Sequence, residues 1–172
     1  MNSENIPLTD ETFFGEEKSA LKPLREFVCF RLASEWYGVP VAIVREVVEF
    51  SHLTPLPSLP SFVCGIFNLR GNILSAVDLK PLFGLPLSTA GFSKSNRLIV
   101  IETEKIETAL LVDEILQVIG LTDEALEPSL ATSASDAEKP VEYVSRLDDK
   151  LIALLNVGKL IDMLTLHEDK TA

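Results

Sequence analysis

Two histidines, two cysteines and several close pairs of carboxylates, notably Glu46 with Glu49 and Asp148 with Asp149, are the residues of this chain whose types could support catalysis or hold a metal. His52 stands beside a proline-rich stretch and His167 near the last residues, and neither has a second histidine or a cysteine pair at metal-ligand spacing, so both read as solvated or packed side chains. Cys29 and Cys64 have apolar flanks (Val-Cys-Phe and Val-Cys-Gly), the setting of a small buried hydrophobe in a reducing compartment, and nothing in the pattern supports a disulfide between them. Glu46 with Glu49, and Asp148 with Asp149, would do general acid and base work only if burial pushed their pKa values apart. Asp148-Asp149 occupies a predicted turn, where aspartate bonds nearby backbone, and Glu46 and Glu49 lie in a strand-like run that turns their side chains outward. Phosphate-cradling loops, nucleophile elbows and dinucleotide-binding turns have no counterpart in the sequence. These residues therefore point to no enzyme, no metal and no cofactor.

The elements that would position any site are short apolar runs rich in Val, Ile and Phe, punctuated by Gly, Pro, Asn, Asp and Ser, which is the grammar of an all-β chain. Residues 27–32 and 36–39 form a hairpin across a polar turn at 33–35. Residues 41–50 mix a helical turn with a following strand, and the three prolines of 54–60 demand an extended connector. Gly65–Leu69 and Asn72–Val77 form a second hairpin at Arg70-Gly71, where glycine supplies a positive φ. Asp78 caps a short helix that stops at Gly84, and a Ser, Thr and Gly-rich loop runs over 85–96. Residues 97–102 and 108–112 form a third hairpin whose second strand runs on toward Ile115 and Ile119. Residues 131–138 read as loop, 141–147 and 150–156 as a fourth hairpin, and 157–166 as a helix. Nine or ten strands are too many for one minimal barrel, and the interruption near 85–96 favours two.

The 172 residues suit one domain or two very small modules, and 47% hydrophobic content with a mean hydropathy of +0.24 is ample for a core. The net charge of −11 has the wrong sign for gripping a phosphate backbone. Residues 1–23 and 121–138 hold most of that surplus acid, which reads as solvation. The start lacks a secretory signal, and the longest uncharged run, 51–69, is too rich in proline for a membrane helix, so a cytoplasmic protein without membrane insertion is expected. Residues 1–23 show neither a helical nor a strand period and read as an acidic mobile arm, with Phe13-Phe14 available to dock.

A longer ordered set of residues is more specific. Phe30-x-Leu32, Tyr37-Gly38-Val39-Pro40-Val41, Val44-Arg45-Glu46-Val47, Pro57, Pro60, Phe62-Val63-x-Gly65-Ile66-x-Asn68-Leu69-Arg70-Gly71, Val77-Asp78-Leu79, Leu111-Val112-Asp113 and Leu154-Leu155-Asn156 together resemble the CheW family of chemotaxis coupling proteins over about residues 24–164. The resemblance implies two intertwined SH3-like five-stranded β-barrels with short helices over 24–166, between the arm at 1–23 and a tail at 167–172. It also implies a non-enzymatic adaptor that links the helical tips of methyl-accepting chemoreceptors to the regulatory domain of a CheA-type histidine kinase, recruited to membrane-associated arrays.

Receptor tips are helical hairpins, so their site should be an apolar groove with a few fixed polar groups. The family positions near that groove are Val44, Glu46, Asn68, Leu69 and Arg70, and Glu46 could pair with Arg70. Val44 and Leu69 read equally well as core, the pair as an ordinary surface salt bridge, and Gly65 and Gly71 as bulge and turn geometry. For the kinase, the stretch 121–131 is the candidate rim, represented by Leu121, Glu127 and Leu130, although Glu127 stands where some relatives have a base. Ser75-Ala76 and Tyr143 also depart from the family pattern and point toward a pilus-motility, phototaxis or other specialised chemosensory pathway. A small-molecule-binding barrel is the rival from another class and would need a deep pocket with convergent polar groups.

Overall fold

The computed structural model describes residues 22–131 and 134–169. The expected arm lies outside this range except for its last two residues, as does the Phe13-Phe14 pair. Eleven strands are described: β1 (Arg25–Leu32), β2 (Glu35–Pro40), β3 (Val44–Glu49), β4 (Val63–Leu69), β5 (Asn72–Asp78), β6 (Arg97–Glu102), β7 (Glu107–Val112), β8 (Glu114–Leu121), β9 (Glu127–Pro128), β10 (Val141–Leu147) and β11 (Lys150–Leu155). Three helices accompany them, α1 (Lys80–Phe83), α2 (Ala134–Glu138) and α3 (Val157–Asp169). The protein is all-β, as expected, and its strands form two sheets in the orders β8-β1-β2-β11-β10-β9 and β3-β6-β7-β5-β4.

The chain starts in the six-stranded sheet, leaves it for β3 to β7, and returns for β8 to β11, so the sheets are intertwined. Parallel pairings of β2 with β11 and of β5 with β7 complete each sheet from strands distant in sequence. The six-stranded sheet must curl. Its two edges, β8 and β9, are consecutive in the chain, and the steps from Leu121 to Glu127 reach at most about 22 Å even fully extended. A flat sheet of six strands would separate those edges by about 24 Å, and a 3-10 turn at Asp123–Ala125 shortens the connector further.

Alternation along the central strands divides the interior into three cores. Leu98 and Val100 of β6, with Ala109 and Leu111 of β7, face a core private to the five-stranded sheet. Ile99, Ile101, Leu110 and Val112 face the opposite way, into a seam shared with Val28, Phe30, Leu32, Tyr37 and Val39 of the other sheet. Phe27, Cys29, Ile119, Ile152 and Leu154 form the private core of the six-stranded sheet. Two buried faces explain the unbroken apolar runs of β6 and β7, in contrast to the alternating exposure of β3. Each fully buried Ile or Leu of the seam contributes about 1.5–3 kcal/mol, and α3 seals it with Leu160 and Leu164.

Three expectations are corrected. The loop 85–96 does not separate the two modules, because β5 and β6 on either side of it belong to one sheet; the crossings are at β2/β3 and β7/β8. The run past Val112 does not continue its strand: the chain turns at Asp113, and β8 joins the other sheet beside β1. Residues 134–138 form a helical turn where composition suggested loop.

Candidate functional site

At the edge of the five-stranded sheet, β3 carries an irregularity that decides where its charges go. Val44 opposes Ile101 and Glu46 opposes Val100, so Arg45 is an extra residue in a β-bulge. Val44 consequently faces the seam with Ile101, whereas Glu46, two residues later, faces the private core side with Val100. The expectation that Glu46 points outward is thus corrected: its side chain retains 20% exposure. Glu49 is exposed, as expected.

The second half of the site is the β4–β5 turn. Both Arg70 (φ 50) and Gly71 (φ 91) have positive φ, the two-residue geometry that matches the twist of a hairpin. Asn68 Oδ1 accepts the Gly71 backbone N–H at 2.8 Å and braces the turn, so Asn68 acts as a turn-former. Another bulge has Cys64 as its extra residue, and at Gly65 beside it a Cβ would come within 2.6 Å of the Thr54 carbonyl oxygen. There Thr54 and Ile66 exchange backbone hydrogen bonds that fasten the proline connector to β4.

From the turn, Arg70 donates from Nη1 to Glu46 Oε1 and from Nη2 to Glu46 Oε2, both at 2.8 Å. This fork-to-fork pair spans from the edge strand β3 to the turn beside the opposite edge strand β4, so it ties the two margins of the curled sheet together. Glu46 is the sheltered partner, while the Arg70 side chain is 72% exposed and presents its guanidinium to solvent in one defined plane. Leu69 packs on the private core and Val44 on the seam, both half-buried, so each is core as well as a candidate contact. The exposed apolar side chains Val47 and Ile73 lie on the same two elements.

The other candidate residues occupy the opposite sheet. Leu121 ends β8 and packs on its core, Glu127 is exposed on β9, and Leu130 is 84% exposed, standing beyond the pairing of β9 with β10. The stretch 121–131 is therefore the strap that carries the chain from one edge of its sheet to the other.

One constellation escaped residue-by-residue reading. Lys80 is 5% exposed, and its Nζ donates to Asp113 Oδ1 at 2.7 Å with Asp78 Oδ2 at 3.8 Å. The other Asp113 oxygen accepts the Ala33 backbone N–H at 2.7 Å, at the β1–β2 turn of the opposite sheet. Asp113 lies where the chain crosses between sheets, so this cluster pins the crossing. Burial pushes the Asp78 carboxyl above its ordinary range, against the opposing pull of the Lys80 backbone N–H and ammonium. Burial also pushes the Cys29 and Cys64 thiols up, to about 12 and about 11. Both cysteines are free. The signal was present in the ordered motifs, since Asp78 and Asp113 both stand in them, but the bond from Lys80 to Asp113 spans 33 positions. A cleft of about 380 Å³ adjoins the cluster below residues 86–96, yet its innermost charges, Lys80 and Asp113, are bonded to each other. Among the described residues no metal-binding group of side chains comes together, and no helix is long and apolar enough to cross a membrane.

Ser75, one of the unusual residues, shares a 2.8 Å hydroxyl contact with Thr108, which also donates to the Ser75 carbonyl oxygen, so the polar departure is satisfied between β5 and β7.

The two intertwined sheets share one apolar seam, and the charged groups described above brace one another across it and along its margins. A family model described as CheW-like domain matches residues 26–165. The chain is 30% identical over 154 residues to the chemotaxis protein CheW of Thermotoga maritima, covering 88% of this chain and 98% of that protein. It is 35% identical over 143 residues to protein FrzA of Myxococcus xanthus, covering 81% and 87%. The solved scaffolding protein TtCheW from Thermoanaerobacter tengcongensis superposes with a TM-score of 0.69 at 34% identity, covering 80% of this chain and 88% of that one. The chain belongs to the CheW-like family of chemotaxis adaptors, which are scaffolds without enzymatic activity.

Proposed function

We propose that this protein is a cytoplasmic adaptor that couples the helical tips of chemoreceptors to a CheA-type histidine kinase in membrane-associated arrays, with residues 1–23 an acidic arm and 24–166 the folded unit. The observation that carries this reading is the braced Arg70 guanidinium, exposed to solvent and held in plane by Glu46. A rigid donor fork suits a carboxylate on the surface of a helical hairpin. Receptor contact is assigned to Val44, Glu46, Asn68, Leu69 and Arg70. Kinase contact is assigned to Leu121, Glu127 and Leu130, of which Leu130 offers the most exposed apolar surface.

Purification from the native cell with identification of co-purifying proteins tests the reading: receptors and a histidine kinase are expected, and their absence overturns it. The FrzA relative, similar over most of its length and designated apart from the CheW proteins, favours a specialised chemosensory pathway as the second reading. The identity of the co-purifying kinase decides between the two.

A further inference from the structure

The bulge on β3 has an anchor that the receptor reading leaves unused. Without the bulge, residues 44 and 46 would share a face, and the Glu46 carboxylate would lie opposite Ile99 on the apolar seam. A bulge is a local choice between registers, so something must hold the extra residue in place. That residue, Arg45, donates from Nη1 to Glu107 and brings Nε within 3.9 Å of Glu102 Oε2. Glu102 and Glu107 pair with each other at the end of the β6–β7 hairpin. They continue the alternate positions of Leu98 and Val100, and of Ala109 and Leu111, that face the private core. Arg45 and Glu46 are consecutive, yet both are directed to that one side, Arg45 to the β6–β7 hairpin and Glu46 to Arg70.

We infer that Arg45 is a positioning residue for the receptor-facing pair: its hold on Glu102 and Glu107 locks the bulge, and the bulge delivers Glu46 to Arg70. This rests on the receptor reading for its functional consequence, while the register of β3 is an independent physical claim. The bulge thus links two ion pairs through consecutive residues, Arg45 to Glu102 and Glu107 and Glu46 to Arg70. A slipped register would withdraw Glu46 and leave the Arg70 guanidinium unbraced.

The test uses the full chain, labelled for amide NMR, and the cytoplasmic hairpin of a chemoreceptor that the wild-type protein binds. In Arg45→Ala, the amide resonances of Glu46, Val47, Val100 and Arg70 are expected to shift while those of the distant β10–β11 hairpin stay. Receptor affinity is expected to fall at least tenfold, and Arg45→Lys is expected to restore most of both. Glu102→Gln with Glu107→Gln removes the anchor without touching the bulged residue and should reproduce the Arg45→Ala spectrum, which keeps the claim decidable if Arg45→Ala folds poorly. Unmoved Glu46 and Val100 resonances in either variant overturn the inference. If Arg70→Glu binds receptor normally while the Arg45→Ala resonances shift, the receptor reading fails and the register claim stands.

Discussion

Two ion pairs of nearly equal length sit in very different surroundings. Lys80 and Asp113 meet at 2.7 Å with their side chains 6% and 17% exposed, and Arg70 and Glu46 meet at 2.8 Å with theirs 72% and 20% exposed. The first joins the two sheets at a chain crossing and the second spans the margins of one sheet. Distance alone would rank them together, but the energetics differ: breaking a buried pair strands a desolvated charge, whereas an exposed pair trades its partner for water. Stability should reside in the first and recognition in the second.

The largest expected effect is at the seam. Asp113→Ala removes the counter-ion of Lys80 and the acceptor for Ala33 N–H together, and should destabilise the fold by about 3–5 kcal/mol in urea unfolding. A loss below about 1 kcal/mol would show that Asp78 takes over as counter-ion and would erase the contrast. Next, Arg70→Glu should change unfolding free energy by only about 0–1 kcal/mol while abolishing receptor capture in a pull-down. Equal losses of stability at the two sites would make Arg70 structural. The combination of Glu46→Arg with Arg70→Glu sharpens this: a double-mutant cycle should reveal coupling in receptor binding, and strict additivity would leave the two residues independent.

A smaller, pH-dependent effect is expected at Asp78. Its folded-state carboxyl lies above its ordinary value, so the folded protein holds that proton more tightly than the unfolded chain. The stability this group contributes is full below the unfolded value of about 3.9 and is lost as the pH rises through the folded one. Asp78→Asn keeps an oxygen for the Lys80 N–H, so its stability relative to wild type should improve between pH 4 and pH 7. Urea midpoints measured across that interval would contradict this by running parallel. The least conspicuous expectation concerns the thiols: with Cys29 near 12 and Cys64 near 11, neither should react appreciably with a disulfide reagent at pH 8 until the protein unfolds.

Much of this was readable locally, because hairpins are local objects. The polar turn at 33–35, Arg70-Gly71 and Asp148-Asp149 each mark the strands they join, and the mixture in 41–50 resolves into a 3-10 turn at Val41–Ile43 followed by β3. The pairing of Glu46 with Arg70 is anticipated only through the family resemblance, which sets both residues beside one groove. What escaped notice was weak in pattern. The two residues of β9 are too few to show a period, and α2 is a single turn in a run of small and acidic residues. An acid in a strand-like run reads as facing solvent, and nothing local shows that Glu46 is sheltered by a guanidinium from a turn 24 positions away.

The order of apolar runs, turn residues and motifs was enough by itself to determine an all-β chain, its hairpins and its family, since side-chain alternation and turn chemistry act between neighbours. Only the tertiary structure decided that β8 leaves the sheet of β7, that Lys80 meets Asp113, and that β6 and β7 are buried on both faces. Those outcomes depend on which distant surfaces meet across the seam, and a pairing between strands far apart in the chain leaves no periodic trace in either of them.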